Sequence, residues 1–222
     1  MTVADPSIFE PDGRAIRHVV DGEGDGPVLV LLPGRGLDIT YLGTLAMVLE
    51  EEGFRVVRVG SRRTAAATMH DLAQDVIDVL DHLGFDDAWI GGHGFGGTIA
   101  RTVALDHDDR VNGVLLLTVD GASAENDDVS GALPQDAEIA GMQAAALAAT
   151  PEAEWATVAP NHPILIIQGA DDPIAPPVNG EQLRATAPHL VSLTTIEGAG
   201  HLFVSTHAGE TGFLIEDYLG MD

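Results

Sequence analysis

The chain contains no cysteine and no lysine. Without cysteine there is no disulfide framework, no thiolate nucleophile and no thiolate metal ligand, which accords with the expected cytoplasmic location. All ten basic residues are arginine against 35 acidic ones, so the 222 residues carry a formal net charge of −25. A field of that sign repels nucleic acid and anionic membranes, and neither is expected as a partner. Two origins of this composition stay open: a salt-rich cytoplasm, where screening relieves self-repulsion, and a GC-rich genome that depletes lysine. Long apolar runs are lacking too; none approaches the ~18 residues that span a bilayer. The start, Met1-Thr2-Val3-Ala4-Asp5-Pro6, has neither the basic beginning nor the apolar centre of a signal peptide.

What is there is a length suited to one domain over residues 1–222 and a hydrophobic fraction of 45%. Short apolar runs bounded by turn residues, Val28 to Leu32, Phe54 to Val59, Ala88 to Gly91, Val111 to Val119 and Ile164 to Ile167, read as strands buried on both faces. Ala15 to Val20 and Leu190 to Ile196 read as strands flanking them. Between them lie helical patterns at Tyr41 to Glu51, Met69 to Leu83, Phe95 to Leu105, Ile139 to Ala149, Glu181 to Ala187 and Thr211 to Leu219. This alternation predicts an α/β fold: a mostly parallel central sheet with helices on both faces and its site at the carboxyl ends of the strands.

The chain is organised around Trp89-Ile90-Gly91-Gly92-His93-Gly94-Phe95-Gly96-Gly97, a strand running through glycines into a helix. Two mechanisms fit. Gly92, Gly94 and Gly97 spell the dinucleotide fingerprint G-x-G-x-x-G, with Asp120 available as the ribose acid. Alternatively, Gly92 to Gly96 has the frame of the G-x-S-x-G nucleophile elbow, with glycine in place of serine. The fingerprint normally opens a fold, whereas at least three strands precede this turn. The elbow predicts an acid and then a histidine in later loops, and Asp172 and His201 come in that order.

On these residues the sequence resembles the α/β-hydrolase family along nearly its whole length. The resemblance rests on Pro33-Gly34, the glycine elbow, Gly-x-x-Asp-Pro at Gly169 to Pro173 and Gly-x-Gly-His at Gly198 to His201. It implies that Asp172 orients His201 as general base, with Asp171 a neighbour. It also implies an oxyanion hole from the backbone N–H groups of Arg35 and Phe95. His93, before the elbow apex, is expected to pack. The stretch 120–161 falls where the family inserts a lid, here a short one with Trp155 holding down its helix.

The departure is Gly94, the vacant nucleophile position, because glycine cannot form an acyl-enzyme. The leading expectation is a serine-independent hydrolase or lyase acting on a small carbonyl or ester-type substrate, in which His201 is general base on a water, seated in the space above Gly94, or on a substrate proton. A ligand-binding pseudoenzyme, a hydrolase engineered to lack its nucleophile and an NAD-binding oxidoreductase are the alternatives. No cofactor is expected. Arg35, Arg62 and Arg63 fall at strand ends and are candidate anion-binding residues for a substrate bearing carboxylate or phosphate. Asp106-His107-Asp108-Asp109 reads as solvated surface before a metal site, and a monomer or homodimer is expected.

Overall fold

The structure, a computed structural model, describes residues 6–65, 68–120 and 133–220. Its frame is an eight-stranded sheet: β1 (Ser7–Phe9), β2 (Ile16–Asp21), β3 (Val28–Leu32), β4 (Arg55–Val59), β5 (Ala88–His93), β6 (Val111–Leu117), β7 (Ile164–Gly169) and β8 (Val191–Ile196). The spatial order is β1-β2-β4-β3-β5-β6-β7-β8. The β1–β2 and β2–β4 pairs are antiparallel and all the others parallel, as the alternation predicts.

Seven helices accompany the strands among the described residues: α1 (Gly43–Glu51), α2 (Met69–Leu83), α3 (Phe95–Asp106), α4 (Ala137–Ala149), α5 (Val178–Thr186), α6 (Phe203–Thr206) and α7 (Ala208–Leu219). Successive strand residues point to opposite faces, so each buried strand feeds two cores. Val30, Leu32, Ile90, Val114, Leu116 and Ile166 meet α2 and α3 on one side. Leu29, Leu31, Trp89, Leu115, Leu117 and Ile167 meet α1, α6 and α7 on the other. Trp155 is buried in the first of these cores.

Local chemistry sets the boundaries. The Thr68 hydroxyl accepts from the Asp71 N–H while the Asp71 carboxylate accepts from the Thr68 N–H, a reciprocal cap, and Gly84 at φ 76° ends α2. The first helix starts two residues later than the pattern suggests, because Ile39–Leu42 form a tighter 3-10 turn capped by Asp38. Strand β6 stops at Leu117 because Thr118 turns to φ 66°, a left-handed conformation that costs a β-branched residue about 1–3 kcal/mol. The sequence pattern misses β1, whose three residues follow Pro6 and precede Pro11, and the single turn of α6.

Buried charge is concentrated near the β4 end of the sheet. Arg62 Nη2 lies 2.7 Å from Asp75 Oδ1, and Arg14 joins the same carboxylate. Asp75 is nearly fully buried; burial raises its pKa against the pull of Arg62 and Arg14.

Candidate active site

All six residues of β5 are buried, and the chain passes to α3 through Gly94 at φ 53°, ψ −117°. The Gly94 N–H donates to the Leu117 carbonyl at 3.1 Å and its carbonyl accepts from the Gly97 N–H at 2.8 Å, fixing the turn against the end of β6. A Cβ at Gly96 would stand 2.3 Å from the Leu32 carbonyl oxygen, so glycine there lets the start of α3 lie directly on β3. The geometry is a strand–turn–helix elbow with Gly94 at its apex.

The downstream loops converge. The Asp171 N–H donates to the Ala199 carbonyl at 2.9 Å, tying the loop after β7 to the loop after β8. His201 Nδ1 lies 2.9 Å from Asp172 Oδ2, and both residues are buried. Thr118 Oγ1 donates to the same oxygen at 3.1 Å, and the Ile174 and Ala175 N–H groups donate to Oδ1, each at 2.9 Å. Burial alone would raise the Asp172 pKa. The hydrogen bonds from His201, Ala175 and Ile174 and the attraction of His201 outweigh it, so the carboxyl titrates below its ordinary value. An ionised Asp172 accepting from Nδ1–H leaves Nε2 as the basic nitrogen of neutral His201. Asp171 is exposed.

His93 does more than pack. Its Nε2–H donates to the His201 carbonyl at 2.8 Å, its Nδ1 accepts from the Tyr41 hydroxyl at 3.0 Å, and that hydroxyl accepts from the Gly34 N–H at 2.9 Å. Burial, reinforced by repulsion from His201 whenever that ring is protonated, pushes its pKa down to about 3, so the ring stays neutral. One imidazole thus spaces the elbow, the histidine loop and the loop after β3. The sequence offered no signal for the Tyr41 end of this chain, while Gly34 entered only through the Pro33-Gly34 resemblance.

Phe95 opens α3, so its N–H is among those a helix leaves without an internal partner. The Arg35 guanidinium lies over the Phe95 ring, 5.1 Å from its centroid, which brings the two candidate oxyanion residues together. The loop carrying Arg35 is held from α4: Gln143 Oε1 accepts from the Gly36 N–H at 2.8 Å, and the Asp136 N–H donates to the Gly36 carbonyl at 2.8 Å. Gln143, fully buried, also donates to Ser61 Oγ at 2.6 Å. Sequence reasoning missed it, because a lone glutamine in an alanine-rich helix carries no motif.

One expectation needs correction. Arg62 is not on the binding edge: it is 6% exposed, with its nitrogens taken by Asp75 and the Asp71 carbonyl, because Asp75 on α2 pulls it inward. Arg63 stays exposed and pairs with Asp136 at 2.8 Å. The space above Gly94 is bordered by a carboxylate. A Cβ added at Gly94 would stand 3.2 Å from Asp120 Oδ1 and 3.5 Å from Oδ2.

A cavity of about 210 Å³ opens beside the loop after β3, walled by Arg17, Gly36, Asp38, Ser61, Arg63 and Ile139 among others. Of the acidic run at the end of α3, Asp106 pairs with His70, and Asp108 with His162 and Asn161. Among the described residues no three or more His, Asp or Glu side chains form a group able to hold a metal ion, and no helix is long and apolar enough to cross a membrane. Of the expected lid, 121–132 lie outside the described residues; the rest carries α4 and Trp155.

Solved structures share this frame. An enol-lactonase from Burkholderia xenovorans LB400 superposes with a TM-score of 0.79 at 20% identity, covering 96% of this chain and 100% of that one. A thermophilic esterase from Thermogutta terrifontis gives 0.77 at 22% identity, covering 97% of this chain and 98% of the other. Among curated sequences, epoxide hydrolase B of Mycobacterium tuberculosis is 31% identical over 118 residues, 48% of this chain and 33% of its own length. A putative carbamate hydrolase of Variovorax paradoxus is 29% identical over 110 residues, 46% of this chain and 41% of its own. The chain thus matches well under half the length of each of these two relatives. Residues 27–158, from β3 to beyond Trp155, match the sequence profile of the alpha/beta hydrolase fold, and with the elbow, sheet order and strand-end loops above, the chain belongs to that family.

Proposed function

We propose that the protein hydrolyses a small carbonyl or ester-type substrate without a serine nucleophile, using His201 as general base on water and Asp172 to orient it. The observation that carries this reading is the 2.9 Å contact between His201 Nδ1 and the Asp172 carboxylate, buried in loops that converge beside the elbow. The base is therefore pre-aligned with its basic nitrogen fixed. The Phe95 and Arg35 N–H groups supply donors for the oxyanion that develops when water adds to the carbonyl. Gly94 offers no hydroxyl, so water enters in a single displacement and no acyl-enzyme accumulates. Hydrolase names among the relatives support the reaction class, while their substrates remain their own.

A dinucleotide function is disfavoured by the same geometry. The Asp120 carboxylate borders the apex of the glycine turn, where a diphosphate would need positive potential.

Removing one member of a catalytic triad typically leaves rates about 10³–10⁴-fold above water. Hydrolysis of 4-nitrophenyl acetate by the parent protein should therefore be measurable, and His201→Ala should lower it by about 10²-fold or more, to what the oxyanion hole and binding alone sustain. A rate unchanged by His201→Ala would overturn the reading. A parent that binds acyl ligands but hydrolyses none would make the protein a binding pseudoenzyme.

A further inference from the structure

We propose that the cavity beside the loop after β3 is a second ligand site, which holds the carboxylate of a short aliphatic acid between Arg17 and Arg63.

The site stands apart from the elbow. Its walls come from β1, β2, the loops after β3 and β4 and the start of α4, on the far side of β5 from β7 and β8. Gly94, Asp172 and His201 are absent from the described residues that line it. Gly36 and Leu37 follow β3, and Gly60 and Ser61 follow β4, so the cavity lies at the carboxyl ends of parallel strands, the edge where open α/β sheets take ligands. Its frame is fixed: the Gly60 N–H donates to the Arg17 carbonyl at 2.8 Å, and the Asp136 N–H to the Gly36 carbonyl at 2.8 Å.

What the lining side chains leave over is donor capacity. Asp38 Oδ1 accepts from the Thr40 N–H at 3.0 Å, and its Oδ2 from Arg17 Nη1. Asp136 Oδ1 accepts from the Glu138 and Ile139 N–H groups at 3.0 and 3.2 Å, and its Oδ2 pairs with Arg63 Nη1 at 2.8 Å. Every oxygen of the two carboxylates is thus engaged. Each guanidinium spends one terminal nitrogen on its aspartate, and the rest of its N–H fork faces no described partner. Ser61 Oγ accepts from Gln143 Nε2 at 2.6 Å, which leaves its O–H to donate. A ligand that completes these groups has to accept. The aspartates also hold both arginines in place, so less side-chain freedom is lost when a ligand binds. A carboxylate suits them because it is planar and takes an arginine fork bidentately. A phosphate dianion would bring a second charge into a protein whose formal charge is already −25. Ile8, Ala15, Leu37, Ile39, Pro134 and Ile139 give the cavity its apolar walls. Ile8 is 64% exposed, a surface that an aliphatic chain would cover. At about 210 Å³ the cavity is smaller than the roughly 300–1,000 Å³ that takes drug-sized ligands, which fits a short chain.

The test is calorimetric titration of the full chain with hexanoate, hexan-1-ol and butyl phosphate at pH 7. It reads binding alone, so its failure would leave the proposed function standing. Hexanoate should bind saturably, one to one, and hexan-1-ol about 10-fold or more weakly, because it lacks the charge that the guanidinium groups hold. Arg17→Met and Arg63→Met, each checked for folding by thermal melting, should each raise the Kd for hexanoate by about 10-fold. Ala15→Phe keeps both arginines but fills the cavity, so it should abolish hexanoate binding. The three variants lie at different points of the wall, and any one that folds decides the question. A parent with no saturable hexanoate binding, or folded arginine variants with the parental Kd, would overturn the inference. Parental affinity in folded Ala15→Phe would put the acid outside the cavity and overturn it too. Butyl phosphate bound more tightly than hexanoate would overturn the assignment to carboxylates.

Discussion

At the level of single residues, the elbow apex is the position where backbone and chemistry pull apart. Its φ of 53° is comfortable for glycine and costs any other residue on the order of 1–3 kcal/mol, a cost a hydrolase elbow accepts to display a nucleophile. Gly94→Ser should therefore destabilise, and by more than strain alone, since the new Cβ would crowd Asp120 Oδ1 at 3.2 Å. A chain of this length loses about 2–4 °C per kcal/mol, so the melting temperature should fall by roughly 2–12 °C in calorimetry. An unchanged or higher value would mean that the apex is not held in the strained conformation. The residues legible in the sequence were those whose spacing along the chain matters: Gly94, Asp172 and His201 stand in loops that alternate with strands, and the fold brings such loops to one edge. Thr118, Tyr41 and Gln143 were not legible as site residues, and Asp120 was legible only as the ribose acid of the dinucleotide reading. Each acts through a contact across the fold, and no local pattern distinguishes a carboxylate that borders an elbow from one that ends a strand.

At the level of elements, the parallel strands and their helices could be read because buried strands are continuous apolar runs and α2 carries its apolar residues at helical spacing. What could not be read is how charge ties the elements together. Arg62 seemed to belong to the binding edge because it follows β4. Asp75, in the second turn of α2, instead closes a buried pair that joins the loop after β4, α2 and, through Arg14, the segment before β2. Breaking such a pair from one side strands a guanidinium in the core, at a cost of about 3–5 kcal/mol. Asp75→Ala should accordingly lower the unfolding free energy by about that amount in urea titration. Asp75→Ala combined with Arg62→Met should recover part of it, because the second change removes the stranded charge. A single variant within ~0.5 kcal/mol of the parent would show that water reaches the pair and that it contributes little.

For the molecule as a whole, the dominant electrostatic fact is the formal charge of −25, which has to be confined in a fold of 222 residues. Self-repulsion on that scale opposes the compact state, and the paired arginines offset it only locally. The Debye length falls from about 30 Å at 0.01 M to about 3 Å at 1 M salt, so added salt uncouples carboxylates across the surface. Buried pairs such as Arg58 with Asp21, at 2.7 and 2.9 Å, are screened much less and stay intact. The melting temperature should therefore climb as sodium chloride is raised from 0.01 to 1 M at pH 7. Salt can also strengthen apolar burial, so the measurement needs a control that separates the two effects. Near pH 4 ordinary carboxylates are about half protonated, and the repulsive charge shrinks while the apolar surface does not. If repulsion is the cause, the dependence on salt flattens toward pH 4. A slope equally steep at both pH values would assign the effect to apolar burial, and no rise at pH 7 would mean that the acidic surface places no measurable load on the fold.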